Sequence, residues 1–318
     1  MPLTLRAPGK VNLGLRIRGR RPDGYHELES LFVPISLADT VSLALRPEPG
    51  VALRLAGDAA GVPADARNLA ARAAAAFLAE AGAAGGVELA LEKRVPSPGG
   101  LGGGSSDAGA VLRGLAELLP GAVAPARLGA LALRLGADVP FFLAPGPALV
   151  TGIGEEILPL DGVPSLALLL AHPGETLATP AVYAAYDAAA AASLTPTSVG
   201  PSIRALLALR EEAGRARAGP IETSLRALVV NDLEPAASRL CPAVPELRKE
   251  IEATGALAAS LSGSGPTVFG VFSGEAAAGE AQRRLARRPG LRTWVVRTAP
   301  SAGLPAAGSA GAEPNAGA

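Results

Sequence analysis

The stretch "PSPGGLGGGSSDAGAVL", residues 96–112, places five glycines within positions 99–104 and runs directly into a helical pattern of apolar residues. The first N–H groups of a helix have no partner inside the helix and carry partial positive charge, so they favour an anion. Glycines before that end let backbone amides approach the anion closely, and Ser105 and Ser106 add hydroxyl donors. The pattern predicts a phosphate-binding loop; the alternative is a flexible turn in a glycine-rich chain.

Two common nucleotide-binding motifs do not fit this loop. A P-loop requires a lysine after its last glycine, and none follows here. In the dinucleotide fingerprint, counting from Gly100 and Gly102 places Ser105 where a third glycine belongs. The sequence also contains no G-x-S-x-G nucleophile elbow. If the loop binds phosphate, it therefore does so as part of another class of protein; the flexible turn remains the alternative.

The composition argues against several classes of function. The chain of 318 residues carries 29 Lys and Arg against 29 Asp and Glu, so no net positive charge attracts nucleic acid or an anionic membrane. Aromatic residues are 3% of the chain, too few for a surface that stacks on several bases. The single cysteine, Cys241, fits a reducing compartment, and the N-terminus does not resemble a signal peptide. We therefore expect a cytoplasmic protein without nucleic-acid or membrane partners. Separately from the composition, we expect a monomer or a weak homodimer.

The apolar periodicity predicts a mixture of strands and helices. Alternation over residues 3–18 indicates a strand on which Lys10 and Asn12 share the polar face. Further strands are expected at 29–36, 41–46, 51–55, 87–93, 165–171, 257–261, 267–272 and 293–297. Helices are expected at 65–82, 105–119, 125–135, 179–192, 200–217, 221–230, 243–254 and 276–288, with a hairpin within 140–164. Because the two kinds of element do not alternate strictly, the pattern favours an α+β fold.

The same survey divides the chain into two domains and a tail. The stretch 140–164 is rich in Gly and Pro, and a boundary near its end gives domains at residues 1–160 and 161–298. Residues 299–318, "APSAGLPAAGSAGAEPNAGA", contain almost no bulky apolar groups. Such a segment cannot bury enough surface to offset the entropy of ordering, which predicts a disordered tail.

A carboxylate is the candidate general base. Asp138 lies in "LGADVPFFL", and a lone charge in an apolar run is either paired or functional, or else forms a turn or cap at a helix end. Lys10 is the natural cationic partner, although no local pattern brings the two together. His26 and His172 are the only histidines, and no cluster has the spacing of a metal site, so the metal ligands stay undefined.

Two further turns carry candidate ligand-binding residues. In "RRPDGYHEL", residues 20–28, Tyr25 and His26 follow an Asp-Gly turn and offer a flat aromatic face beside a polar ring. The alternative for this pair is a partly buried corner. In "SLSGSGPTVFGVF", residues 260–272, a Ser/Gly turn precedes a strand and forms either a cover over a nucleotide or an ordinary hairpin turn.

The three glycine-containing segments together resemble the GHMP kinases. The loop at 96–112 resembles their central motif P-x-x-x-G-L-G-x-x-S-S, and "APGKVNLGL" before it and "SGSGPTVFG" after it resemble the other two motifs in order. The resemblance covers residues 1 to about 298. It implies the two-domain GHMP kinase fold, an α+β architecture with a ribosomal S5-like N-domain and a ferredoxin-like C-domain, and an active site in the cleft between them.

The resemblance also implies ATP and Mg²⁺ as cofactors and a set of site residues. The segments "GKVNLGLRI", "RPDGYHELESLF", "GADVPFFL" and "HPGETLATPAVY" narrow the match to kinases that phosphorylate the tertiary 2-hydroxyl of a cytidine-diphospho-methylerythritol in the non-mevalonate route to isoprenoid precursors. Asp138 then corresponds to the base and Lys10 to its charged partner. The residues that correspond to the ATP phosphate loop are Pro96, Ser97, Pro98, Gly99, Gly100, Leu101, Gly102, Gly103, Gly104, Ser105 and Ser106. Those that correspond to the substrate pocket are Asn12, Tyr25, His26 and Thr179, with Tyr25 stacking on cytosine and His26 hydrogen-bonding it.

Three alternatives remain at this level. One is another GHMP kinase, of the homoserine or mevalonate type, although those substrates carry no base for the "DGYHEL" segment to bind. A second is a non-catalytic nucleotide-binding module, which Asp138 and Lys10 oppose if both reach one cleft. A third is an RNA-binding protein with an S5-like fold, which the zero net charge disfavours.

Overall fold

The structure, a computed structural model, describes residues 2–190 and 221–299. It contains two sheets, the first of which has seven strands. They are β1 (Leu3–Arg20), β2 (His26–Arg46), β3 (Gly50–Gly57), β4 (Gly86–Lys93), β5 (Ala148–Thr151), β6 (Glu156–Pro159) and β8 (Val230–Asn231). The main order is β3-β4-β2-β1-β8, and the predicted hairpin within 140–164 is confirmed as β5 and β6.

The long strand β2 differs from the expectation of two strands at 29–36 and 41–46, which was wrong. One strand runs through both because its pairing with β1 shifts register in between. Lys10 pairs with Pro34 and Pro8 with Ala38, so one residue of β1, Gly9, lies opposite three residues of β2, 35–37. Such a bulge absorbs the extra residues and bends the strand without ending it.

The second sheet has four antiparallel strands in the order β11-β7-β10-β9. They are β7 (Ala167–His172), β9 (Ala258–Leu261), β10 (Val268–Phe272) and β11 (Arg292–Arg297). The proposed domain boundary at residue 160 falls between β6 and β7. The chain then returns to the first sheet through β8, a two-residue strand that the sequence analysis did not predict.

Eight α-helices occur in the described residues. They are α1 (Leu69–Glu80), α2 (Gly103–Leu118), α3 (Pro125–Leu135), α4 (Thr179–Ala190), α5 (Ile221–Leu228), α6 (Glu234–Leu240), α7 (Ala243–Ala253) and α8 (Glu275–Leu285), with a 3₁₀ turn at Pro140–Leu143. All but α6 and the 3₁₀ turn were predicted to within a few residues. The helix expected at 200–217 and the tail from residue 300 lie outside the described residues. Within the described part of the chain, no helix has the length and apolar character needed to cross a membrane.

Helix α2, which follows the glycine loop, packs very closely on its surroundings. The apolar residues Ala108, Val111, Leu112 and Leu115 of its stripe are fully buried, and Leu118 is partly buried. A Cβ atom added at Gly109 would lie 2.5 Å from Cβ of Phe142, and one at Gly114 would lie 2.5 Å from Cδ1 of Leu43. The absence of these two side chains brings the helix against the 3₁₀ turn and β2. The start of α2 is therefore fixed relative to the first sheet.

Candidate functional site

A cleft of about 310 Å³ receives residues from both sheets. Strand β1 contributes Lys10 and Asn12, and the segment before the 3₁₀ turn contributes Asp138. The turn after β9 contributes Gly263, and α4 contributes Thr179 at its first position. Segments that are far apart in sequence thus meet around one volume, which is the geometry of a binding site.

The glycine loop forms one wall of this cleft. The loop residues that line it are Pro96, Ser97, Pro98, Gly99, Gly100, Gly102, Gly103, Gly104 and Ser105. The two others face away, since Leu101 is fully buried in the core and Ser106 is almost fully buried. The hydroxyl of Ser106 has no hydrogen-bond partner within the described residues.

Positive backbone angles shape the loop. Gly100 has φ 73° and Gly102 has φ 69°, in the left-handed region that residues with a side chain rarely adopt. A Cβ atom at Gly100 would lie 2.1 Å from the carbonyl oxygen of Ser262, so the loop touches the turn after β9 directly. The amide of Lys10 donates to the carbonyl of Leu101 at 2.8 Å and joins the loop to β1. The amides that begin α2 are therefore presented toward the cleft.

Lys10 lies between Asp138 and Asn12. Its Nζ is 3.8 Å from Oδ2 of Asp138 and donates to Oδ1 of Asn12 at 2.5 Å. Asn12 in turn donates from Nδ2 to the hydroxyl of Ser30 at 2.8 Å. Burial lowers the pKa of Lys10, and the attraction of Asp138 opposes that shift. The prediction that Lys10 and Asn12 share one face of the strand is confirmed, although both are buried.

Asp138 is held by the apolar run in which it stands. Val139, Phe141 and Phe142 on its C-terminal side are buried, whereas the Asp138 side chain is 34% exposed and faces the cleft. The run therefore anchors the backbone and leaves the carboxylate accessible. This placement brings Asp138 and Lys10 together, as the sequence alone could not.

Helix α4 supplies two side chains, Thr179 and Tyr183, to the same cleft. The hydroxyls of Thr179 and Ser264 are 2.8 Å apart, which joins the helix to the turn after β9. One turn later, the Tyr183 ring lines the cleft. Burial, with the nearby charge of Asp138, raises the pKa of Tyr183 to about 12, so the phenol stays neutral. The sequence analysis missed Tyr183 because an aromatic residue in an alanine-rich helix is typical of a core position.

The structure places the neighbours Tyr25 and His26 in different surroundings. The His26 ring lies 4.9 Å from the ring of Tyr183, and its Nε2 is 2.6 Å from Oδ1 of Asp187. Tyr25 is 60% exposed on the turn before β2 and does not line the cleft. His26 is therefore positioned at the edge of the cleft, behind Tyr183, and Tyr25 is outside it. The partner Asp187 was not foreseen, since it lies 161 residues further along the chain.

A buried ionic cluster supports the loop from behind. Lys93, at the end of β4, donates to Asp107 in α2 at 2.5 Å and also to Asp39 in β2. The second oxygen of Asp39 accepts the amides of Arg94 and Val95, whereas Oδ1 of Asp107 has no partner within the described residues. Burial opposes the charge of Lys93, but the two carboxylates outweigh it and raise the pKa of Lys93. Burial also raises the pKa of Asp107 to about 7, and repulsion from Asp39 adds to the shift against the attraction of Lys93.

The other histidine is also attached to the loop. His172, at the end of β7, donates from Nε2 to the carbonyl of Pro98 at 3.1 Å and accepts the amide of Gly174 at Nδ1. Burial lowers the pKa of His172, and the hydrogen bond to Pro98 opposes that shift. The second sheet thus holds the outer part of the loop through a neutral imidazole.

Comparison with known proteins defines the class of this fold and site. The family described as GHMP kinases N terminal domain matches residues 68–146, and the family described as GHMP kinases C terminal matches residues 205–290. A crystal structure of homoserine kinase from Cytophaga hutchinsonii superposes with a TM-score of 0.66 over 94% of both chains. That protein is 22% identical, and the likeness shows the shared fold. The fold and the glycine loop are those of a GHMP kinase.

Closer relatives define the branch of the family. The 4-diphosphocytidyl-2-C-methyl-D-erythritol kinase of Citrifermentans bemidjiense is 39% identical over 93% of this chain and 99% of its own length. The enzyme of the same name from Deinococcus radiodurans is 41% identical over 96% and 95%. A crystal structure of 4-(cytidine 5'-diphospho)-2C-methyl-D-erythritol kinase has a TM-score of 0.75 at 39% identity, covering 93% of this chain and 99% of that one. The chain belongs to the family of 4-diphosphocytidyl-2-C-methyl-D-erythritol kinases.

Proposed function

We propose that this chain transfers the γ-phosphoryl group of ATP to the 2-hydroxyl of 4-(cytidine 5'-diphospho)-2-C-methyl-D-erythritol, in the non-mevalonate route to isoprenoid precursors. The observation that carries the proposal is the Lys10–Asp138 pair, 3.8 Å apart and in the same cleft as the glycine loop. Names of relatives that this chain matches over nearly its whole length support the substrate. A non-catalytic nucleotide-binding module would not need this pair.

Phosphoryl transfer depends mainly on positioning and on neutralising charge. In the proposal, the amides that begin α2 and the residues Gly102–Ser105 hold the phosphates of ATP. Asp138 accepts or orients the proton of the attacking hydroxyl. Lys10 keeps the carboxylate in place and offsets negative charge as it develops on the transferred group. Asn12 fixes Lys10 and lines the substrate side.

The base of the substrate belongs at the other end of the cleft. Tyr183 provides a flat ring there, and His26 lies directly behind it. Thr179 faces the space between this end and the loop. Tyr25 stays in the proposal as a stacking residue from the rim, which requires its exposed turn to fold toward the ligand. Together these residues select a cytidine substrate over homoserine or mevalonate.

Mg²⁺ is the cofactor that the proposal adds to ATP. No cluster of three metal-ligating side chains exists among the described residues, which include the whole glycine loop. Among the described residues, the loop contributes the hydroxyls of Ser97 and Ser105 to the cleft lining, and Asp138 contributes its one carboxylate. That set fits Mg²⁺, which keeps several waters and binds through one or two protein oxygens and the substrate phosphates. The ion would supply charge neutralisation between the phosphates.

The remaining parts of the proposal concern the whole chain. We place it in the cytoplasm, acting as a monomer or a weak homodimer without nucleic-acid or membrane partners. Its balanced charge and single cysteine support this setting. The domains at 1–160 and 161–298 belong to the same proposal.

Turnover of Asp138→Asn tests the function. We expect kcat with the cytidine substrate to fall about 10²-fold or more, the usual effect of removing a general base, with ATP affinity nearly unchanged. Asp161→Asn, which removes one exposed carboxylate that does not line the cleft, is the matched control and should keep wild-type turnover. Wild-type turnover in a folded Asp138→Asn protein would remove Asp138 from the mechanism. Turnover of homoserine or mevalonate, and not of the cytidine substrate, by the wild-type protein would refute the proposed substrate.

A further inference from the structure

The two-residue strand β8 brings the chain back beside the catalytic strand. Val230 and Asn231 pair in parallel with Gly14 and Leu15 of β1, the strand that carries Lys10 and Asn12. The next amide, that of Asp232, donates to the carbonyl of Leu15 at 3.0 Å. The backbone of Asn231 therefore belongs to the first sheet, although the elements on both sides of it pack with the second.

The side chain of Asn231 reaches across to the second sheet. Its Nδ2 donates to the carbonyls of Leu261 and Gly263, both at 2.8 Å. Its Oδ1 accepts the amide of Leu233 at 2.9 Å, just before α6. All of these contacts are buried, since Asn231 is 8% exposed. One amide thus joins a strand of the first sheet to the turn that follows β9 of the second.

The turn after β9, residues 262–264, contacts β1, the glycine loop and helix α4. A Cβ atom at Gly263 would lie 3.3 Å from Oδ1 of Asn12 and 3.4 Å from Nζ of Lys10. The hydroxyl of Ser262 donates to the carbonyl of Gly100 at 3.0 Å. The hydroxyl of Ser264 lies 2.8 Å from the hydroxyl of Thr179, at the start of α4. The position of residues 262–264 therefore sets the spacing between the three walls of the cleft.

We propose that Asn231 is a positioning residue. By holding the carbonyls of Leu261 and Gly263, it fixes the distance of the turn at residues 262–264 from Lys10 and Asn12. The inference rests on the proposed kinase function for its effect on turnover, but the tether itself does not. Misplacement of reacting groups by about 1 Å can cost about 10²-fold in rate. Asn231 thus governs the reaction without contacting either substrate.

Asparagine suits this role because its amide offers two donors and one acceptor in a single plane. Aspartate has the same shape and keeps the acceptor for the amide of Leu233. It has no donor for Leu261 and Gly263, however, and would place a carboxylate against two buried carbonyl oxygens. Asn231→Asp therefore removes the tether and leaves the local start of α6 intact.

The test uses the full chain of Asn231→Asp and two measurements. First, we expect kcat for the cytidine substrate to fall about 10-fold or more, while KM for ATP and for the substrate each change less than about threefold. Second, we expect amide hydrogen exchange to increase in residues 260–265 and in the glycine loop. The second measurement does not depend on turnover, so it tests the tether even if the proposed substrate is wrong.

Asp232→Asn is the matched control, because Asp232 occupies the neighbouring position and holds β1 through Arg16 and the amide of Ile17 instead of the turn. We expect this variant to lose stability but to keep kcat and the exchange pattern of 260–265. Unchanged exchange in Asn231→Asp would overturn the tether. An equal fall of kcat in both variants would overturn the positioning role and assign the effect to general stability. Absence of turnover by the wild-type protein would count against the proposed function alone.

Discussion

Replacing Asp107 by asparagine should change how the stability of the protein depends on pH. In the folded state, Lys93 bridges Asp107 and Asp39, so one positive charge meets two buried carboxylates. Asp39 accepts three hydrogen bonds, whereas Oδ1 of Asp107 accepts none within the described residues. Asp107 is therefore the member that retains a proton, and its pKa is raised to about 7.

The sign and size of the effect follow from linkage. An unfolded aspartate has a pKa of about 3.9, so between about pH 4 and 7 the folded chain binds up to one proton more than the unfolded chain. The stabilisation is fully present below the unfolded pKa and is lost as the pH rises through the folded pKa of about 7. At about 1.36 kcal/mol per pH unit for one proton, with the slope decreasing near pH 7, the loss between pH 5 and 7 is about 2 kcal/mol.

Urea unfolding followed by circular dichroism, at half-unit steps from pH 5 to 8, measures this. Asp107→Asn cannot titrate, so its free energy of unfolding should gain about 2 kcal/mol relative to the wild-type protein on going from pH 5 to 7. Asp161→Asn, which removes an exposed carboxylate, controls for the change in net charge. If the wild-type and Asp107→Asn curves run parallel within about 0.5 kcal/mol, the proton is not held at Asp107 and the reasoning is wrong.

Three further predictions concern the glycine loop, His26 at the end of the cleft proposed to bind cytosine, and the C-terminal tail. Gly100→Ala should lower the melting temperature by several degrees in differential scanning fluorimetry, since its methyl group would meet the carbonyl of Ser262 at 2.1 Å. The methyl group of Gly104→Ala would meet no atom within 4 Å in the part of the chain that the structure describes, so this variant should melt near the wild-type temperature. His26→Ala should weaken binding of the cytidine substrate about tenfold and reduce the preference over a uridine analogue, with ATP affinity unchanged by calorimetry. Deleting residues 300–318 should leave the melting temperature and turnover unchanged, because their composition offers no core.

Each of these has a contrary outcome. Equal melting temperatures for the two glycine variants would show that the loop does not press on the turn after β9. Normal cytidine binding by His26→Ala would place the base elsewhere in the cleft. A fall of several degrees after the deletion would show that the tail contributes packing.

Local patterns were enough for the elements that carry the loop. The glycine run, followed by an apolar helical stripe, predicted the loop and α2 because both signals are contained in 17 consecutive residues. Alternation along β1 placed Lys10 and Asn12 on one face for the same reason. The strands predicted separately at 29–36 and 41–46 form one strand, because residues 38–40 between them also pair with β1. Local patterns do not record that kind of long-range support.

The contacts that complete the site could not be read from the sequence. Lys10 and Asp138 are separated by 128 residues, and they meet because the 3₁₀ turn after Asp138 packs against Phe32 of β2, the strand that pairs with β1. Strand β8 is too short to show a period of two, so Asn231 gave no signal of its role. Tyr183 gave no signal in the sequence, because the other residues of its helix are mostly alanine and the pattern is that of a core helix. These residues acquire their function from their neighbours in space.

The close packing of α2 also bears on which mutations this chain can accept. Glycine and alanine codons differ by a single base, and the chain contains 39 glycines, so exchange between the two residues is an easily accessible step. At Gly129 in α3, no atom of the described residues lies within 4 Å of an added methyl group, and the exchange costs no packing. At Gly109 and Gly114 the same step drives a methyl group to within 2.5 Å of neighbouring atoms. The helix that follows the glycine loop therefore cannot accept this exchange at two positions, whereas the open surface of α3 can.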